Sequence, residues 1–315
     1  MEPKAPAEAR RGLALRLMLT ALALAVWAGL AGVSPRELAG ALGRIAPASF
    51  AWAVALTAAN HLVGALRWRA LLAAFGATAP PSFGGAFRLY LEGTFFNTFL
   101  PANVGGDVLR AHRTRRAFAG GAAGAYLVVL LERLFGLAGL LGLAGIVLGV
   151  RPVGSLEPSA LPFLLAAAAL AGALALPWVL RRSAPLLARH ALTEGIGQAL
   201  AGAPRLLRRA PLAGALLLSF VTHAGVALAC LALLSDLAPG VTLTDALVLV
   251  PVALIATYLP TLGGLGTREA AFVLLFGWIG VEEAEATAAS LGLYGALVCV
   301  ALLGGALHLL HPREP

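Results

Sequence analysis

Two short stretches of the sequence concentrate groups able to do chemistry. One reads Asn97-x-x-Leu100-Pro101-x-x-x-Gly105-Gly106-Asp107-x-x-Arg110, the other Leu259-Pro260-x-x-Gly263-Gly264-x-Gly-x-Arg268-Glu269. Between them an adjacent acid and base, Glu132-Arg133, interrupt an apolar run, and Arg88 and Glu92 stand four residues apart upstream. Guanidinium groups and helix N-terminal N–H groups are the usual holders of phosphate, and carboxylates hold cations. No nucleophile–base pair or metal-binding carboxylate cluster accompanies them. The six histidines, His61, His112, His190, His223, His308 and His311, are scattered and share no metal-site spacing with a carboxylate. The expected chemistry is therefore recognition of a charged group, with no metal, no cofactor and no catalytic residue.

These charges sit in a chain made for lipid. Its 315 residues are 60% hydrophobic and 12% charged, with a mean hydropathy of +0.88, which places it in the membrane class. Apolar runs at 17–33, 49–66, 120–150 (broken only by the Glu132-Arg133 pair), 159–180, 212–234 and 286–307 each approach or exceed the roughly 20 residues that cross a bilayer core. Period-two alternation is absent, which argues against a β-barrel. The net charge of +8 does not indicate nucleic acid, because the arginines flank apolar spans as cytoplasmic anchors do. Cys230 and Cys299 lie inside apolar runs and carry no redox or metal signal. The N-terminal basic and apolar stretch is longer than a signal-peptide core and reads as an uncleaved first span.

Arginine placement orients the spans. Arg10, Arg11, Arg16, Arg67, Arg69, Arg110, Arg113, Arg115, Arg116 and the arginines at 181–209 belong to one side, and only Arg36, Arg44 and Arg151 to the other. The bias puts both termini in the cytoplasm of a multi-pass protein of the cell membrane. Segments 83–110 and 243–280 must then enter and leave on the same face, the first cytoplasmic and the second external. Their Leu-Pro…Gly-Gly…Arg motifs lie 159 residues apart, about half the chain. The expected architecture is an all-α polytopic membrane protein with about six full spans and two re-entrant broken hairpins in an inverted-topology repeat. It forms a single membrane domain, 1–315, with pseudo-repeat halves 12–150 and 159–311.

Charges at mid-membrane cost several kcal/mol unless paired or wetted, so each is a candidate site residue. Arg133 is expected to bind a phosphate and Glu132 to pair with a hairpin arginine; the alternative is a structural ion pair that locks helices. Asp107 and Arg110, three apart, share a helical face. Asp107 either caps the returning helix or acts as a ligand, while Arg110 faces a cavity and Gly105-Gly106 offers N–H groups to a phosphate. Arg268-Glu269 would form the opposite wall. Arg88 and Glu92 either pair with each other or line the cytoplasmic mouth, and Asn97 bonds broken backbone at the hairpin tip. Arg67 and Arg69 read as snorkelling anchors rather than ligands. His61 and His223 occupy equivalent places in the two halves, where a lone histidine usually bonds a neighbouring helix.

The same residues, from Arg67-Trp68 to the last span, carry a resemblance to the flippase-like membrane domain of lysylphosphatidylglycerol synthases. The resemblance implies translocation of a phospholipid, aminoacylated or glycosylated, between leaflets. The sequence ends at Pro315 with no aminoacyl-transfer region after the spans, so the chain is expected not to be an enzyme that makes the lysyl lipid. Other readings are a membrane-embedded enzyme acting on lipid or polyprenyl substrates and an accessory subunit of a separate synthase. The expected partner is the lipid substrate, together with a second copy of the chain or a separate lipid-modifying enzyme.

Overall fold

The structure, a computed structural model, describes residues 34–99, 104–118, 121–154, 157–189, 209–258 and 264–310, with a few isolated positions besides. The expected first span, 17–33, lies outside the described residues apart from Met18, as do the motif breaks at 100–103 and 259–263. Regular structure in the described residues is helical: α1 Pro35–Arg44, α2 Pro47–Ala74, α3 Phe83–Phe99, α4 Gly105–Thr114, α5 Ala122–Val150, α6 Ala160–Leu187, α7 Arg209–Leu237, α8 Leu243–Leu254, α9 Thr267–Gly277 and α10 Glu283–Leu310.

Five stretches among the described residues are long and apolar enough to cross a membrane: Pro47–Ala74, Ala122–Val150, Ala160–Leu180, Leu212–Leu237 and Glu283–Leu310. They coincide with the second to sixth expected spans. The remaining membrane-type elements, α3, α4, α8 and α9, have 17, 10, 12 and 11 residues. At 1.5 Å per residue they reach only about 15–26 Å, short of a hydrocarbon core of about 30 Å. None of the four is among the helices long and apolar enough to count as a candidate span.

Local chemistry sets the ends. Ser34 caps α1 by accepting from Glu37 N (3.2 Å) while its own N–H donates to Glu37 Oε2 (2.8 Å). Those bonds from Ser34 hold the Glu37 carboxyl below its usual range. Thr242 and Asp245 form the same reciprocal cap on α8. Pro251 inside α8 removes one N–H, and the helix gives way to a 3₁₀ turn at Ile255–Tyr258. At the same end of the bundle Arg44 Nη2 meets Glu285 Oε1 at 2.7 Å, and Ala46 N donates to Asp236 Oδ2 at 2.8 Å, which ties α1 and α2 to α10 and α7.

Two apolar cores stack along the bundle. One gathers Trp68, Leu71, Leu72, Leu131 and Phe135 with the start of α7. The other gathers Phe272, Phe276, Leu233, Leu234 and the outer halves of α2 and α10. The interior helix is α5, 67% of whose membrane window is buried. In contrast α6 presents Leu161, Leu164 and Leu165 outward, as a lipid-facing helix should.

Close backbone approach positions α3. A Cβ built on Gly106 of α4 would fall 1.8 Å from Gly93 O of α3, and one on Gly304 of α10 would fall 2.0 Å from Leu91 O. Only glycine permits either contact, and small residues that let membrane helices touch gain dispersion energy there. Since the obstructing atoms are backbone, Gly106→Ala should force α3 and α4 apart and cost about 1–3 kcal/mol. Gly84→Ala, with nothing within 4 Å, should leave stability equal or slightly raised. Thermal unfolding of the two variants in detergent checks this; equal melting temperatures would refute the packing.

Candidate functional site

Halfway along the long helices, between the two apolar cores, lies a cavity of about 410 Å³. Thr57, Asn60, His61 and Arg67 reach it from α2, Glu132, Arg133 and Gly136 from α5, Thr222 and His223 from α7, and Leu293, Tyr294 and Leu297 from α10. The broken elements contribute mainly their ends: Asn97 and Thr98 close α3, whose middle also supplies Tyr90, Asp107 and Arg110 open α4, Leu254 and Thr257 close the α8 segment, and Arg268 opens α9. The cavity is thus bounded by the middles of four continuous helices and by the termini of four short ones. Helix termini carry unsatisfied backbone groups and dipole ends, which makes them natural ion sites.

A chain of charges runs along one wall. Arg67 Nη1 donates to Ser219 Oγ (3.0 Å) and Thr222 Oγ1 (3.5 Å), and its Nη2 to Glu132 Oε1 (3.3 Å). The other Glu132 oxygen accepts from Arg110 Nη1 at 2.8 Å, and Arg110 Nη2 donates to Asp107 Oδ1 at 2.6 Å. The second Asp107 oxygen pairs with Arg133. Arg67, Arg110, Asp107 and Glu132 are all buried, whereas the Arg133 side chain is 34% exposed. Three guanidinium groups against two carboxylates leave the cluster one positive charge in excess. The Arg110 guanidinium carbon also lies 5.0 Å from the Trp68 ring centre and 4.7 Å from that of Tyr90, an attraction that strengthens away from water.

A smaller cluster faces it. Arg268 Nε donates to Ser290 Oγ at 2.9 Å, and its terminal nitrogen pairs with Glu269 Oε1. Glu269 Oε2 accepts from Gly266 N at 2.7 Å, which ties the start of α9 to its own first turn. The Arg268 guanidinium lies 4.6 Å from the Tyr294 ring centre. Here the charges balance.

Six of the nine expected site residues, Asn97, Asp107, Arg110, Glu132, Arg133 and Arg268, therefore border one cavity. Glu269 stands behind Arg268 as its partner. Arg88 and Glu92 form their own pair, with Arg88 Nε 3.5 Å from Glu92 Oε1. Glu92 also meets His308 Nδ1 of α10 at 3.0 Å, and neither residue of the pair borders the cavity. Glu132 does pair with an arginine of the first broken pair. Asn97 Oδ1 accepts from Gly106 N at 2.7 Å, the expected bond to interrupted backbone.

Several expectations change. Asp107 is not the cap of α4: that position is Val104, with no side-chain cap bond, and both Asp107 oxygens are drawn to arginines instead. The Gly106 N–H is taken by Asn97, and its Cα is needed for contact with α3, so Gly106 acts in packing rather than as an open phosphate seat. Arg67 is not a snorkelling anchor. The second span continues to Ala74 rather than stopping before the arginine, which draws Arg67 inside, where Ser219, Thr222 and Glu132 hold it. Arg69 is exposed and donates to Pro81 O at 3.0 Å, as a surface residue would. The residues that sequence reasoning missed, Ser219, Thr222, Ser290, Tyr90 and Tyr294, carry no charge. The readable hint was Arg67-Trp68 itself, an arginine beside a tryptophan at an apolar run's edge.

His61 and His223 both reach the cavity, each with one ring nitrogen on a backbone oxygen: Thr57 O at 2.7 Å and Gly136 O of α5 at 2.8 Å.

No curated relative matches the sequence. The family described as the lysylphosphatidylglycerol synthase TM region matches residues 13–305, which spans both broken-helix motifs, the α5 charge pair and every helix that borders the cavity. The chain belongs to the lysylphosphatidylglycerol synthase TM-region family.

Proposed function

We propose that the protein moves a phospholipid between the leaflets of the cell membrane and is a carrier rather than an enzyme. The observation that carries this reading is the arginine-rich cavity at the middles of α2, α5, α7 and α10. A polar chamber with excess positive charge at that depth suits a phosphate in transit, and the apolar outer faces suit acyl chains left in lipid. Arg133, partly exposed at the cavity wall, would meet the phosphate first, and Arg110 and Arg268 would hold it from the two sides.

In this reading α3/α4 and α8/α9 are re-entrant hairpins of an inverted repeat with halves 12–150 and 159–311. The first enters from the cytoplasm, where both termini lie, and the second from outside. Supporting this is the placement of four short helices with their ends at the middles of the long ones, as discontinuous transporter helices have. Access would alternate by rocking one half against the other.

Two measurements test the proposal. In liposomes with headgroup-labelled phospholipid, the purified protein should exchange lipid between leaflets well above empty vesicles. Arg133→Gln should slow exchange by about tenfold or more, equivalent to about 1.4 kcal/mol of lost stabilisation, and, because it removes one of the two arginine partners of Asp107, should lower the melting temperature by less than Arg110→Ala does. Arg110→Ala strands buried carboxylates and should lose both exchange and about 3–5 kcal/mol of stability. No exchange above empty vesicles, or full exchange by Arg133→Gln, refutes the mechanism. For topology, single cysteines at Ser82 and Arg116 should react with an impermeant reagent from the cytoplasmic face, and those at Gly240 and Glu282 from the opposite face. A split within either pair rules out re-entry.

A further inference from the structure

The proposed lipid site raises the question of which headgroup fits it, and the wall chemistry is selective. An aminoacylated headgroup brings an ammonium group, which needs a carboxylate, an open carbonyl or an aromatic face. The carboxylates and tyrosine faces here are already engaged by arginines, and several of the carbonyls by neutral donors. Asp107 and Glu132 each have both oxygens committed to arginines, and Glu269 is committed to Arg268 and Gly266 N. The rings of Tyr90 and Tyr294 are covered by Arg110 and Arg268. The oxygens of Thr57, Gly136 and Leu254 accept from His61, His223 and Thr257. A cation entering here would find no carboxylate that is not already paired with an arginine, in a wall already one positive charge in excess.

What remains on the walls is neutral and suited to hydroxyls. Asn60, Thr57 and Tyr294 border the cavity. A histidine that donates to a carbonyl from one ring nitrogen keeps the other available, and as a neutral ring that nitrogen accepts. His61 of α2 and His223 of α7 therefore each bring one more position to the cavity. Together with the single excess positive charge, these groups match a monoanionic phosphodiester that carries several hydroxyls. A volume of about 410 Å³ falls within the range of small-ligand sites.

We infer that the cavity takes a phosphate ester of a polyol, such as the glycerol or cyclitol headgroup of an anionic lipid, and rejects the aminoacylated form. This rests on the lipid-carrier reading, so binding must be measured apart from transport. The full-length protein in detergent is incubated with phosphatidylglycerol, phosphatidylinositol, phosphatidylpropanol and lysyl-phosphatidylglycerol, and retained lipid is quantified by native mass spectrometry. Free glycerol 3-phosphate is included as a competitor.

Phosphatidylglycerol and phosphatidylinositol should be retained about tenfold or more over phosphatidylpropanol, which keeps the phosphate but lacks the hydroxyls. That is the discrimination expected from one to two hydrogen bonds. Lysyl-phosphatidylglycerol should bind no better than phosphatidylpropanol. Asn60→Leu should narrow the gap between phosphatidylglycerol and phosphatidylpropanol. Equal or tighter binding of the lysyl lipid, equal binding of phosphatidylpropanol, or retention of none of the four overturns the inference. Selective polyol binding without leaflet exchange would uphold it and remove the transport reading. Displacement by free glycerol 3-phosphate at lipid-like concentrations would uphold the polyol-phosphate chemistry and assign it to a soluble ester instead.

Discussion

Everything in this bundle is organised around the cost of placing five charges at the depth where water is scarcest. A lone guanidinium or carboxylate there would cost several kcal/mol. Arg67, Glu132, Arg110, Asp107 and Arg133 avoid that by forming one continuous chain in which every carboxylate oxygen is used. Such a chain tolerates no missing link, because the loss of one member leaves its neighbour buried without compensation. The members come from α2, α4 and α5, so assembly of the charges and assembly of the helices are one event.

That constraint explains the short helices. Asp107 and Arg110 must approach Glu132 and Arg133 from the start of α4, and a helix that ran straight through could not deliver its first turn to the middle of α5. Breaking the path between α3 and α4 puts the first turn of α4 there, and the Asn97 bond to Gly106 N repairs one of the backbone groups the break exposes. On the other side α8, with Pro251 inside it, stops at Leu254, and Gly266 with Glu269 begins α9 beside the same chamber. Irregular backbone at this depth is tolerated where protein or a cavity surrounds it.

Much of this was legible from residue types. Hydropathy located the described spans within a few residues at every end but one, the C-terminal end of α2, because about 20 apolar residues have few other uses. The three-residue spacing of Asp107 and Arg110 correctly put them on one face. What escaped was whatever depended on how far a helix runs or on which helices meet. Arg67 looked like the end of a span because charge normally ends one, and only the continuation of α2 to Ala74 reveals it as interior. Asp107 could be read either as a cap or as a ligand, because aspartate near a helix start serves as both, and only the packing of α4 on α5 shows its two oxygens drawn to Arg110 and Arg133. The aromatic faces of Trp68, Tyr90 and Tyr294 could not be assigned to arginines from sequence, since stacking needs a meeting of separate helices. Likewise glycines were readable as packing residues in general, but the Gly93–Gly106 and Leu91–Gly304 contacts were not.

Those two contacts have a mechanical meaning. Helices joined through side chains can slide by letting rotamers adjust, whereas helices seated backbone on backbone have no soft layer between them. With α4 on one side and α10 on the other held in this way, α3 cannot shear against either. Since α3 and α4 belong to the first half and α10 to the second, rocking of the halves would have to part α3 from α10 at this seam, where the Leu91–Gly304 approach and the His308–Glu92 contact hold them together.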